Sequence, residues 1–126
     1  MEKKYKLTDE TIDVEGKALY RIEALKDFCE IKNGDKGGFI ESENNLAHEG
    51  NAWVYDDACV YDNAFVTDDA IVYDNARVYN DARLTDDACV CGTARVYDND
   101  WVYDHALGVW KRSNKKTNHG KVQSNG

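Results

Sequence analysis

The chemistry-bearing side chains of this chain fall into four groups. Histidine, the usual general base near neutral pH, occurs at His48, His105 and His119. Thiols occur at Cys29, Cys59, Cys89 and Cys91, without the CxxC spacing of a structural zinc site. Three arginines, Arg77, Arg83 and Arg95, are the sole cations between positions 51 and 104 and can pair with carboxylate or phosphate. Around them stand twelve Asp, which give this stretch a formal charge of −9 within a chain of −8. No Gly-rich phosphate cradle and no cofactor motif is present. An acidic balance of this size also argues against a conventional nucleic-acid surface, which needs clustered Lys and Arg.

What positions these groups is a repeat. From Asn51 the chain divides without insertion into NAWVYD, DACVYD, NAFVTD, DAIVYD, NARVYN, DARLTD, DACVCG, TARVYD and NDWVYD. The fourth position is always aliphatic: Val54, Val60, Val66, Val72, Val78, Leu84, Val90, Val96 and Val102. The second is Ala in every unit except the last, which has Asp100. A period of six excludes an α-helix, because six residues turn a helix by about 600° and would scatter the Val set around its surface. Short β-type stretches closed every six residues by Asp or Asn, which tolerate left-handed dihedrals, describe instead a strand, a corner and a strand again. Repeated in threes, this gives a triangular solenoid with residues eighteen apart in one column. Extended backward, the frame reads FIESEN and NLAHEG, with Ile40 and Leu46 aligned with Ala52 and His48 in the aliphatic position; forward it reads HALGVW.

Units such as VYDNARV resemble the hexapeptide-repeat signature of left-handed parallel β-helices, over some 66 to 72 residues. The resemblance implies an all-β, left-handed coil of about four turns. The flanking stretches YKLTDETIDVEGKALYRIEALKDF and GDKGGFIESENNLAHEGNAWVYD further resemble the N-terminal half of small hexapeptide-repeat proteins of bacteriophages and prophages. The expected organisation is a β cap and joint over 1–38, the β-helix over 39–110 and a basic, disordered tail over 111–126. Strands are expected in the cap near 4 to 7, 11 to 14 and 18 to 25, with turns at Thr8 to Glu10 and at Glu15-Gly16.

The eighteen-residue column sorts the outward side chains into three faces. One carries Trp53, Ile71 and Cys89 beside Tyr55, Tyr73 and Cys91; so apolar a patch is expected to be covered, by another subunit or by the cap. A second carries Cys59, Arg77 and Arg95 beside the ladder Tyr61, Tyr79 and Tyr97, with the Arg and Tyr composition of an interface hot spot. The third carries Phe65, Arg83 and Trp101 beside Thr67, Thr85 and Tyr103. The Tyr residues also read simply as good strand formers stacked in a ladder. Corner carboxylates form a column of Asp68, Asp69, Asp86, Asp87 and Asp104. That column reads as corner chemistry, as a calcium ladder, or as an imitation of a phosphate row.

Many hexapeptide-repeat proteins are acyltransferases, so the resemblance implies that activity as one reading. Such enzymes use a His base and a loop thrown out from the coils. Here no insertion breaks the frame from 51 to 104, His48 reads as structural and His105 as a solvated corner. The expectation is therefore a non-catalytic binding protein that binds no metal or cofactor. Its expected partner is a host protein that it blocks, as an anti-CRISPR would, or a nucleotide signal that it sequesters. A degenerate acyltransferase and a purely structural homo-oligomer are the alternatives. With no apolar run near the ~18 residues of a membrane span, and no apolar leader, the expected location is the cytoplasm of a bacterial host.

Overall fold

The computed structural model describes residues 3–103. Its solenoid is built from two-residue strands: β4 (Trp53–Val54), β5 (Cys59–Val60), β6 (Phe65–Val66), β7 (Ile71–Val72), β8 (Arg77–Val78), β9 (Arg83–Leu84), β10 (Cys89–Val90), β11 (Arg95–Val96) and β12 (Trp101–Val102). Each pairs in parallel with the strand eighteen residues away, so the strands form three walls: β4-β7-β10, β5-β8-β11 and β6-β9-β12. This is a three-sided parallel β-helix of about four coils, each rising ~4.8 Å.

The fourth residue of every hexad points inward and is fully buried, as are the Ala side chains from Ala52 to Ala88. Three inner columns result. Ile40, Val60, Val78 and Val96 stack in one, and Leu46, Val66, Leu84 and Val102 in the second. Val54, Val72 and Val90 make the third. Each buried aliphatic side chain contributes roughly 1.5–3 kcal/mol, and Ala lets the narrow interior close.

The corners show why Asp recurs. Asp56, Asp62, Asp68, Asp74, Asn80, Asp86 and Asp98 all have φ between 54° and 61°, and Gly92 has φ 67°. Each such turn is closed by a bond from the N–H at the second hexad position to the carbonyl three residues before it, as from Ala58 to Tyr55 and from Asp100 to Tyr97, both at 3.1 Å. The corner N–H, at the exposed edge of the prism, has no carbonyl partner in the ladder. The side chain one coil earlier supplies the acceptor. Asp56 Oδ2 takes the Asp74 N–H, Asp68 Oδ2 the Asp86 N–H and Asp74 Oδ2 the Gly92 N–H, each at 3.0 Å. Asp62 and Asn80 repeat this for Asn80 and Asp98. These corner side chains carry hydrogen bonding that joins one coil to the next.

The cap differs from its expected form. The stretch from Thr8 to Glu10 is no turn: β1 (Tyr5–Val14) runs through it with a bulge between Leu7 and Thr11, where the Thr8 hydroxyl donates to the Arg21 carbonyl and accepts from the Glu10 N–H. β2 (Lys17–Ala24) follows across a two-residue turn in which Glu15 and Gly16 both have positive φ, the geometry that suits a tight hairpin. β3 (Lys36–Ile40) pairs antiparallel with β2 and parallel with β5, so the cap prolongs one wall of the solenoid. Gly37 and Gly38 permit this contact: a Cβ on either would lie 2.6 Å from the Val54 or Ala58 carbonyl oxygen.

The partial coil that precedes Asn51 also departs from the extrapolated frame. Ile40 aligns with Val60 and Leu46 with Val66, not with the Ala positions, because the corner between Leu46 and Ala52 holds two extra residues. Gly50, at φ 81°, makes that corner possible, since a Cβ there would meet the Asp68 carbonyl oxygen at 2.7 Å. Asn45 seals the start of the coil: its Oδ1 accepts from the Glu41 and Ser42 N–H groups, and its Nδ2 donates to the Asp62 and Ala64 carbonyls. No helix among the described residues is long and apolar enough to cross a membrane. Asp104, His105, His119 and the expected basic tail lie outside the described residues.

Candidate functional site

The wall of β5, β8 and β11 brings the expected Arg and Tyr columns together. Tyr61 and Tyr79 stack with ring centroids 5.2 Å apart, and Tyr79 and Tyr97 at 5.6 Å. The column is real, yet its top is not a surface. Tyr61 and Cys59 are buried against Val14, Leu19 and Phe39, with Ile12 and Tyr79 at the edge. The β1–β2 hairpin covers the first coil of this wall, so Tyr61, expected to meet a partner, has no face to offer. Burial pushes the Tyr61 phenol up, and the nearby Arg77 guanidinium opposes that shift. Below the hairpin no described element covers the wall. Arg77 and Tyr79 are half-buried, Arg95 is exposed and Tyr97 half-buried. Arg77 and Arg95 are register partners, so two like charges stand one coil apart. Neither makes an ion pair with the described residues.

The wall of β4, β7 and β10 is covered at its top in the same way. Trp53 is fully buried, edge-on to Phe28 at 5.3 Å and to Tyr5 at 6.3 Å. Of the two covers expected for it, the cap is the one present, so Trp53 is not available to a second subunit. Tyr55, Ile71, Tyr73 and Cys91 are half-buried, and Cys89 is buried. On the third wall Phe65, Trp101 and Tyr103 are exposed, and the Trp101 indole N–H donates to the Thr85 hydroxyl at 2.7 Å.

The residues that fasten cap to coil gave little signal in sequence. Lys4 is fully buried; its ammonium donates to the Ala52 carbonyl at 2.7 Å and the Gly50 carbonyl at 3.2 Å and lies over the Phe28 ring. Burial, then the nearby Lys26 charge, lowers its pKa to about 8. Arg21 stacks on Phe39, donates to the Gly37 and Asp56 carbonyls and pairs with Glu10 and Asp57. His48 stacks on Tyr5 at 4.2 Å, accepts the Lys4 N–H at Nδ1 and meets Glu43 through Nε2 at 2.9 Å. That contact holds the Glu43 carboxyl below the ordinary carboxylate range. With both ring nitrogens engaged, His48 has no free lone pair to act as a base. Its odd place in the aliphatic register was the available clue, and it marks a residue that belongs to the cap.

Hollows follow the corners. One of about 990 Å³ is lined by Glu41, Asp62, Asp81 and Asp98, with Lys17 and several Asn at its rim; another of about 370 Å³ follows Asp56, Asp74 and Gly92. Among the described residues no three His, Cys, Asp or Glu side chains are grouped to hold a metal ion.

No protein-family model matches the chain. Over 42 residues, 33% of its length, it is 43% identical to an uncharacterized acetyltransferase, YdcK, of Escherichia coli strain K12. That stretch spans 13% of the Escherichia coli protein. The solenoid and this short similarity together fit a hexapeptide-repeat β-helix.

Proposed function

We propose that the chain is a non-catalytic binding protein, and that the bare part of the β5-β8-β11 wall is its recognition surface. The observation that carries this reading is the Arg77–Arg95 pair: two guanidiniums one coil apart, without a carboxylate partner among the described residues, in a chain rich in acids. Like charges so placed repel one another and are relieved by an anion between them. Tyr79 and Tyr97 flank the pair with rigid, half-exposed rings, the residue types that carry interface energy. The corner hollows are acidic, whereas this wall is a strip between them, which suits a protein surface whose acidic centre is rimmed by basic residues. A host protein that the chain blocks is a partner of this kind.

The test is capture from a host lysate by wild type and by Arg77→Ala/Arg95→Ala, with melting measured in parallel. Retained folding with lost capture supports the wall; equal capture by both removes it. A second reading, an acyltransferase-like protein, is favoured by the similarity to the Escherichia coli acetyltransferase. A thermal shift with acyl-CoA tests it directly, and a clear stabilisation would replace the first reading by the second.

A further inference from the structure

The hexad Asp87–Gly92 breaks the repeat at two successive positions. Cys91 stands where the other units carry Tyr or Thr, and Gly92 where they carry Asp or Asn. Local departures from an otherwise consistent pattern are where function is to be sought. Cys89 and Cys91 flank the inward, fully buried Val90, so both thiols leave β10 on its outer side. Tyr73, one coil earlier, joins them: its hydroxyl accepts from the Cys89 thiol at 3.6 Å and lies near Cys91. Cys91 is half-exposed and Cys89 buried.

We propose that Cys89 and Cys91 form a two-coordinate thiolate site for a soft monovalent metal ion, Cu(I) being the type. Residues two apart on a strand have Cα atoms about 6.6 Å apart, near the upper limit for a disulfide, whose sulfurs must approach to about 2.05 Å. A metal bridge asks much less of the backbone, because two metal–sulfur bonds of about 2.3 Å each hold the sulfurs ~4.6 Å apart. Thiolates select soft ions over hard ones. Binding replaces two S–H bonds by two S–metal bonds and releases two protons to solvent, with no change of oxidation state. Once Cys89 has lost its proton, the Tyr73 hydroxyl donates its single proton to that thiolate and fixes its orientation, as outer partners do in metal sites.

The test uses the full chain carrying Cys29→Ser, which removes the exposed thiol outside the site, under reducing, anaerobic conditions. Cu(I) is offered from a chromogenic chelator. One equivalent per chain is expected to transfer. Cys91→Ser, at a half-exposed position, should keep its melting temperature and lower the affinity by more than the ~10–100-fold that loss of an outer partner costs; Tyr73→Phe should fall within that range. Independently of any variant at the site, Cu(I) should protect the half-exposed Cys91 from alkylation, read by mass spectrometry. Failure to withdraw Cu(I), equal withdrawal by Cys89→Ser/Cys91→Ser, or alkylation of Cys91 unchanged by Cu(I) would each overturn the site.

Discussion

The first coil and the third are built from the same hexads, yet they carry different residues on their outer sides. Under the cap, the outward positions hold Trp53, Cys59 and Tyr61, all buried. Two coils further along the same columns stand Cys89, Arg95 and Tyr97, with Arg95 exposed and Tyr97 half-buried. The inner columns hardly change between the two regions, whereas the outer ones follow what covers them. Within one column the change from Cys59 to Arg77 marks the edge of the hairpin. An outward aromatic position in such a prism therefore reports its cover.

The largest expected effect lies in what the two regions share. Val78→Asp would place an unpaired charge in an inner column where no water reaches, and the chain is expected to lose its β-sheet circular dichroism at temperatures where the wild type is folded. Next comes a contrast within one column. Trp53→Ala should cost about 3–5 kcal/mol, because it removes the ring wedged between Tyr5 and Phe28, whereas Ile71→Ala, one coil along and half-buried, should cost about 1 kcal/mol. Equal losses in chemical denaturation would contradict the role given to the cap.

Lys4 sharpens the comparison through pH. Its folded pKa, about 8, lies below its ordinary value of 10.5, so between those limits the unfolded chain binds more protons than the folded one. Stability then rises with pH across that window, by an amount on the order of 2 kcal/mol, and the penalty is fully present below pH 8. Tyr5, which burial raises, acts in the opposite sense above its ordinary value of 10. The melting temperature of wild type relative to Lys4→Met should accordingly climb from pH 7.5 to 9.5; a constant difference would exclude this account of Lys4. The smallest effect is at a corner. Asp68→Ala removes the acceptor of the Asp86 N–H and should cost about 1 kcal/mol, while Asp68→Asn, which copies natural Asn80, should cost much less.

The uninterrupted hexads made the three walls legible, because a buried aliphatic every sixth residue has one economical solution. The partial coil before Asn51 was less legible, since two extra residues between Leu46 and Ala52 shift the register and only the packing of Gly50 on Asp68 reveals them. Thr8 to Glu10 misled because polar residues mark a bulge as readily as a turn. The corner acids were legible as corner residues, which tolerate left-handed dihedrals, but the bond each makes to the next coil depends on a column that composition does not contain. Of the candidate surface, the Tyr and Arg columns followed from the period. That the hairpin covers Tyr61 and Cys59 depends on Val14 and Leu19, which gave no sign of where they dock.

The four native thiols allow the contrast between covered and bare coils to be measured directly. Alkylation of the folded, metal-free protein, followed by mass spectrometry, should modify Cys29 and Cys91 quickly and Cys59 only at the rate of unfolding, while Arg77→Cys, introduced one coil along the Cys59 column, should react quickly. If Cys59 reacts as fast as that neighbour, the hairpin does not cover the first coil, and the distinction between a capped and a free surface is wrong.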